Sequence, residues 1–179
     1  MKYLYVGAMG EVDREASMAV RERVAVEFGA PVRPMDLPAA DFAYDAGRRQ
    51  YASIPVLEML MGACPEDALK LVAVTERDLF IPVLTFVFGQ AQLGGRVAIV
   101  SLARLRQEFY GLAPNREIFL ARALKETLHE TGHTFGLVHC AERSCAMSLA
   151  TSVRQIDSKQ AAFCAPCAMR LRRYAREQL

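Results

Sequence analysis

The sequence predicts a mixed α/β fold: a sheet layer first, then one long helix, then a cysteine-bearing tail. Three observations carry that expectation. Short apolar runs alternate with helical periodicity through the first half of the chain. The run "LTFVFGQAQLGGRVAIVSL" reads as two strands about a turn at Gly94 and Gly95. From Asn115 onward a single strong helix is signalled by its cap and its spacing.

The elements follow in chain order. "KYLYVGA" is a short buried strand that opens the fold. Residues 11–28 place Val12, Ala16, Ala19, Val20, Val24 and Phe28 at helical spacing, and Gly29 closes that helix. "PVRPMDL" is a second strand, pushed toward a sheet edge by Pro34, which has no N–H to give a ladder. "PAADFAYDAGRRQY" reads as a loop. Residues 50–63 read as a helix with Pro55 in its first turn. Residues 69–75 form a clear strand, followed by the two strands about the glycine turn. The long helix has Asn115 as N-cap, Glu117 in its first turn and Gly136 at its end. Residues 157–179 are expected to form a C-terminal helix that meets Pro166 early.

Composition bounds the function. The chain has 179 residues, 53% apolar and 23% charged, which describes one globular domain with a sizeable core. Residues 1–136 are expected to form its sheet-and-helix part and residues 137–179 a small C-terminal part. A formal charge of +2 gives no reason to expect a nucleic-acid or membrane partner. The apolar run before Gly7 is too short for a signal segment, and no run of about 18 apolar residues occurs. The expectation is a cytoplasmic monomer. In that compartment five cysteines point to metal or redox chemistry more than to disulfides.

The stretch "HETGHTFGLVHC" spans residues 129–140 and holds His129, His133 and His139, every histidine in the chain. On a helix, His129 and His133 lie one turn apart on the same face. Glu130 sits about 100° round the axis, close enough to approach whatever they hold. Gly136 can adopt the left-handed conformation that lets the chain fold back, so that His139 arrives from outside the helix. Three neutral nitrogen ligands with a fourth position open are the mark of a catalytic rather than a structural zinc site.

Cys140, Cys145, Cys164 and Cys167 follow the spacing C-x4-C-x18-C-x2-C. Two short-spaced pairs suit an all-thiolate structural zinc site. Disulfides, a redox Cys164/Cys167 pair and an iron–sulfur cluster are the rivals, and the spacing matches neither common ferredoxin pattern. Cys64, at the end of an apolar helix, is left over and reads as a small buried hydrophobe. Arg170, Arg172, Arg173 and Arg176 read as the solvated face of a terminal helix.

Residues 129–139 match H-E-x-x-H-x-x-G-x-x-H, the metzincin form of the zinc peptidase motif, at every defined position. The sequel "CAERSCAM" and the later "CAPC" resemble the archaemetzincin family, and "FVFGQAQLGGRVAIVSLARL" is similar to the strands that precede the helix there. The likeness covers about residues 70–170. It implies a metzincin-like zincin fold and a zinc metallopeptidase acting on peptides or proteins, with an aminopeptidase-like preference in some members. It implies two Zn2+ per chain, one catalytic on the three histidines and one structural on Cys140, Cys145, Cys164 and Cys167. Glu130 would be the general base, and Met147 the methionine packed beneath the histidines. Substrate would pair with an edge strand within residues 85–92. A nearby Tyr or Arg would assist the developing oxyanion, but the sequence does not identify one. Two other functions stay open at this point: a zinc-stabilised peptide-binding protein without activity, and a metal hydrolase of a non-peptide substrate. Glu130 argues against the first, because a purely structural site has no use for that carboxylate.

Overall fold

A strand that is buried on both faces must be apolar on both, and "LYVGAM" meets that demand in the interior of the sheet. The structure, a computed structural model, describes residues 2–178, with side chains through residue 175. In chain order the elements are β1 (Tyr3–Met9), α1 (Arg14–Phe28), β2 (Val32–Leu37), β3 (Tyr44–Asp45), β4 (Gln50–Ala52) and α2 (Ser53–Ala63). Then come β5 (Ala68–Thr75), β6 (Leu79–Phe80), β7 (Gly89–Ala91), β8 (Val97–Ser101), α3 (Arg116–Thr134), α4 (Val153–Ser158) and α5 (Ala165–Gln178). The main sheet has the order β2-β1-β5-β8-β7, parallel except for the antiparallel β7 edge.

Helices cover both faces. Leu4 and Val6 of β1 join a core with Ala16, Val20 and Val24 of α1 and with Phe119, Ala123 and Leu128 of α3. Tyr5 and Met9 belong to a second core with Val56 and Leu60 of α2. Asp13 caps α1 by accepting from the Ala16 N–H, so the helix starts at Arg14 and not at residue 11. Gly29, at φ 60°, closes it as expected. β2 is indeed an edge, and Pro55 lies in the first turn of α2.

Four expectations need correction. The segment taken as a loop contains β3 and β4, which join β6 in a separate three-stranded sheet. Strands of two or three residues carry no readable period, and Gln50–Ala52 is a strand where a helix was expected. That small sheet braces the chain beyond it: Gln50 Nε2 donates to the Thr85 carbonyl at 3.0 Å and Arg48 Nη1 to the Leu84 carbonyl at 2.9 Å. In the tail, α5 begins at Ala165 rather than residue 157. Lys159 leaves α4 in an extended conformation, and the chain then pairs with residues 144–146 through Gln160 N–H to Ser144 O and Ala146 N–H to Ala162 O. Cys64 is half-buried at the end of α2 instead of inside the core, and burial pushes its thiol up. On α5, Arg170, Arg172 and Arg173 are exposed as expected, while the side chain of Arg176 lies outside the described residues. Among the described residues no helix is long and apolar enough to cross a membrane.

One residue of β5 breaks its apolar pattern. Lys70 is only 2% exposed, and its Nζ donates to the carbonyls of Gly95 and Thr134, each at 2.7 Å. Burial, helped by nearby Arg96, pulls its pKa down from 10.5 to about 8. The unfolded chain holds this proton more tightly than the folded one, so folding carries a penalty that is full below pH about 8. The penalty is relieved as pH rises toward 10.5. Denaturant titrations should therefore show the wild-type chain gaining stability relative to Lys70→Met between those values. A stability difference that stays flat across the window would contradict the assignment.

Candidate active site

Helix α3 delivers most of the site. Asn115 Oδ1 accepts from the Ile118 N–H at 3.0 Å and starts the helix cleanly. Its last turns carry His129, Glu130 and His133. The helix ends by bonding the Gly136 N–H to His133 O and the Leu137 N–H to Gly132 O, with Gly136 at φ 93°. That reversal returns the chain so that His139 joins the other two. The ring centroids lie 4.6, 5.3 and 5.0 Å apart, and one ring nitrogen from each falls within 4.8 Å of the others.

The hydrogen bonds decide which nitrogens are free to ligate. His129 Nδ1 donates to the Ala146 carbonyl at 2.8 Å, and His133 Nδ1 to the Leu137 carbonyl at 2.7 Å. Both Nε2 atoms are then left with lone pairs, 3.0 Å from each other. Two lone pairs at that distance repel unless a cation lies between them. Zinc–nitrogen bonds of about 2.0–2.1 Å in a tetrahedron imply edges of roughly 3.3–3.4 Å, so the arrangement fits the ion. Burial lowers the pKa of all three imidazoles, His129 furthest, and favours the neutral form a ligand needs.

Glu130 is buried beside them. Burial pushes its carboxyl well above the ordinary range, Glu126 adds to the push, and Lys159 opposes it. Lys159 Nζ lies 3.0 Å from Glu126 Oε1, and both side chains are almost wholly enclosed. Two glycines make room for this packing. A Cβ on Gly89 of β7 would stand 2.6 Å from Glu130 Cγ and 2.7 Å from the Ile99 carbonyl oxygen. A Cβ on Gly132 would stand 2.5 Å from the sulfur of Met147, which is fully buried against the helix between His129 and His133.

The four cysteines converge next to the histidines. Their sulfurs lie within 4.8 Å of one another, with Cys140 Sγ and Cys164 Sγ 3.7 Å apart. A tetrahedron of zinc–sulfur bonds of about 2.3 Å has edges near 3.8 Å, so this cluster also fits. The Cys145 sulfur accepts from the backbone N–H of both Met147 and Cys164 at 3.4 Å. Burial pushes the Cys145 and Cys167 thiols up, whereas at Cys164 burial is outweighed by hydrogen bonds from the Cys167 backbone and the neighbouring thiols, which bring the thiol down. Cys64 takes no part in the cluster.

A cleft of about 410 Å³ opens over the histidines. One side is formed by residues from 81–91, the floor by Glu126, His129, Glu130 and His133, and the far side by His139 and residues 149–151. Among the described residues that line it there is neither Tyr nor Arg, so the expected helper for the oxyanion is not found there. Strand β7 forms the edge of the sheet beside the cleft. The Gln92 N–H bonds to Val97 O and the Ser101 N–H to Phe88 O. By antiparallel alternation, Gly89 and Ala91 then turn their backbone groups to the free edge.

Comparison with known proteins agrees with this geometry. Residues 11–173 match the profile of peptidase family M54. The chain belongs to peptidase family M54. It is 39% identical over 165 residues to the archaemetzincin of Methanocaldococcus jannaschii, covering 91% of this chain and 89% of that one. It is 38% identical over 176 residues to the archaemetzincin of Methanopyrus kandleri, covering 97% of each. The crystal structure of the Methanopyrus kandleri archaemetzincin is similar with a TM-score of 0.85 at 36% identity, over 98% of this chain and 96% of that one. That of a zinc-dependent peptidase from Methanocorpusculum labreanum gives a TM-score of 0.85 at 30% identity, over 94% and 99%. The resemblance to archaemetzincins and the fold class read from the sequence both hold, and the protein is a zinc metallopeptidase acting on peptides or proteins.

The structure brings His129, His133 and His139 together, with Glu130 in the same cleft floor, and brings the four cysteines together beside them. What sequence reading missed is the packing: Gly89, Gly132, Glu126, Lys159 and the Ala146 carbonyl. Gly89 had a signal, since a glycine inside a strand often marks a close approach. Gly89→Ala should displace Glu130 and lower kcat about 10- to 100-fold while leaving metal content unchanged. Steady-state kinetics with elemental analysis would check this, and unchanged turnover would show that the cradle tolerates a methyl group.

Proposed function

We propose that this protein hydrolyses internal peptide bonds of extended substrates, with Glu130 as general base and with two zinc ions per chain. The observation that carries the reading is the convergence of two lone-pair Nε2 atoms and His139 beside a buried carboxylate at the floor of an open cleft. His129, His133 and His139 would hold the first ion, and Cys140, Cys145, Cys164 and Cys167 the second, tying residues 137–179 into a small subdomain. When bound to the histidines, zinc supplies Lewis acidity to the scissile carbonyl and lowers the pKa of water toward ~7.

The chain's own groups do the rest. Glu130 accepts the proton of the attacking water and passes it to the leaving amine. Its enclosure under Gly89 holds it in one place for both transfers. The outward backbone groups of Gly89 and Ala91 pair with an extended peptide, which aligns the scissile bond with Glu130. Gly136 reverses the chain so that His139 can join, and Met147 supports the histidines from below. Preference for a free N-terminus is not favoured. The carboxylates lining the cleft are Glu126 and Glu130: the first is held by Lys159 and the second is the base, so neither is left to anchor an α-amine.

Glu130→Gln should cut hydrolysis by about two to four orders of magnitude while elemental analysis still finds two zinc ions per chain. Near-normal turnover would remove Glu130 as the base, and one ion or fewer in wild-type protein would remove one of the two metal assignments.

A further inference from the structure

Neither the chemistry nor the core explains Lys70. It is the one charged residue in a strand that is buried at every position. Neither carbonyl it serves belongs to its own strand: one ends the helix that carries the histidines and the other lies in the turn after the strand at the cleft's edge. Thr134 is the last residue of α3 and follows His133 directly. Gly95 lies in the turn between β7 and β8. The same two pieces are joined a second time, by the Gly94 N–H bonding to the His133 carbonyl at 2.8 Å.

β7 has only three residues and one neighbour in the sheet, so its ladder alone sets its position loosely. From α2, the Ser53 hydroxyl bonds the Gln90 side chain at 2.5 Å. At the other end, the link through Lys70 ties the turn after β7 to the end of the helix that presents the histidines. A buried apolar residue at position 70 would leave both carbonyls without that donor.

We propose that Lys70 is a positioning residue for catalysis: it holds the peptide-pairing edge, Gly89 and Ala91, in register with His129, Glu130 and His133. This rests on the proposed pairing of substrate along β7. Its loss would move the edge relative to the metal site without removing any group that touches metal or substrate.

The test compares zinc-loaded wild type with Lys70→Met, Lys70→Gln, Ala91→Pro and Leu60→Ala, a destabilised control in the other core. KM and kcat are measured on an extended fluorogenic peptide, and Ki for acetohydroxamate, a chelator too small to reach β7. Peptide affinity is also measured by calorimetry in the Glu130→Gln background. Lys70→Met should raise KM and weaken peptide affinity roughly tenfold while the acetohydroxamate Ki and zinc content stay at wild-type values. Lys70→Gln keeps a donor group and should show a smaller loss of the same kind, which carries the test if Lys70→Met does not fold. Leu60→Ala should show neither change. An unaltered KM in both Lys70 variants, or an equal rise in KM and in the acetohydroxamate Ki, overturns the proposal. Ala91→Pro removes an outward N–H without touching the β8 ladder, so an unaltered KM there would instead overturn the pairing itself.

Discussion

His139 and Cys140 are consecutive, so one peptide unit, about 3.8 Å between Cα atoms, separates the two candidate ligand clusters. Helix α3 can present His129 and His133 from a single face, but geometry forbids it a third histidine in the same plane of approach. The third must come from a chain that has left the helix, reversed at Gly136 and been held in place. Among the described residues beyond Gly136, Leu137, Ala146, Met147, Ile156 and Leu171 are the buried hydrocarbon-rich side chains, and they pack into the main core rather than forming one of their own. Structural zinc on thiolates is worth on the order of 10–16 kcal/mol in small modules, against a typical domain stability of about 5–15. On the proposed reading, one such ion on the four cysteines would be enough to order the tail.

The tail reaches the histidines by more than one path. The Cys140 N–H bonds to the Met147 carbonyl at 2.9 Å, and the Ala146 carbonyl accepts from His129 Nδ1. Met147 fills the space that Gly132 leaves open. Charge pairs then dock the tail along α3: Arg122 makes a two-bond contact with Asp157, and Lys159 meets Glu126 one turn further on. The Lys159–Glu126 pair is enclosed and contributes little net stability, because desolvation offsets attraction, but removing either partner leaves a buried charge alone; Asp157 is exposed, so in the other pair only Arg122 would be stranded. They therefore specify where the tail sits more than how firmly.

How much of this was legible depended on whether the signal was local. Helices α1 and α3 announced themselves by period and cap, and the histidine and cysteine spacings named both clusters before any coordinate was known. The edge position of β2 followed from Pro34 alone. Strands β3, β4 and β6 were invisible because two or three residues show no alternation. The C-terminal helix was placed too early because Lys159 leaves helix for a contact with Glu126, 33 residues away, that no local rule could see. Gly89 and Gly132 are glycines for the sake of Glu130 and Met147, which lie far off in sequence. Lys70 was passed over inside its strand, because only the folded chain brings Thr134 and Gly95 to it.

The claim that the cysteine cluster builds the third ligand is tested most directly by the affinity of the histidine site for zinc, measured by competition with a chelator in soluble cysteine variants. Cys140→Ser should weaken that affinity more than Cys167→Ser, whose effect reaches His139 only through α5, and Cys64→Ser should leave it unchanged. Equal affinities in the Cys64→Ser and Cys140→Ser proteins would show that the cysteine cluster does not hold His139 in place.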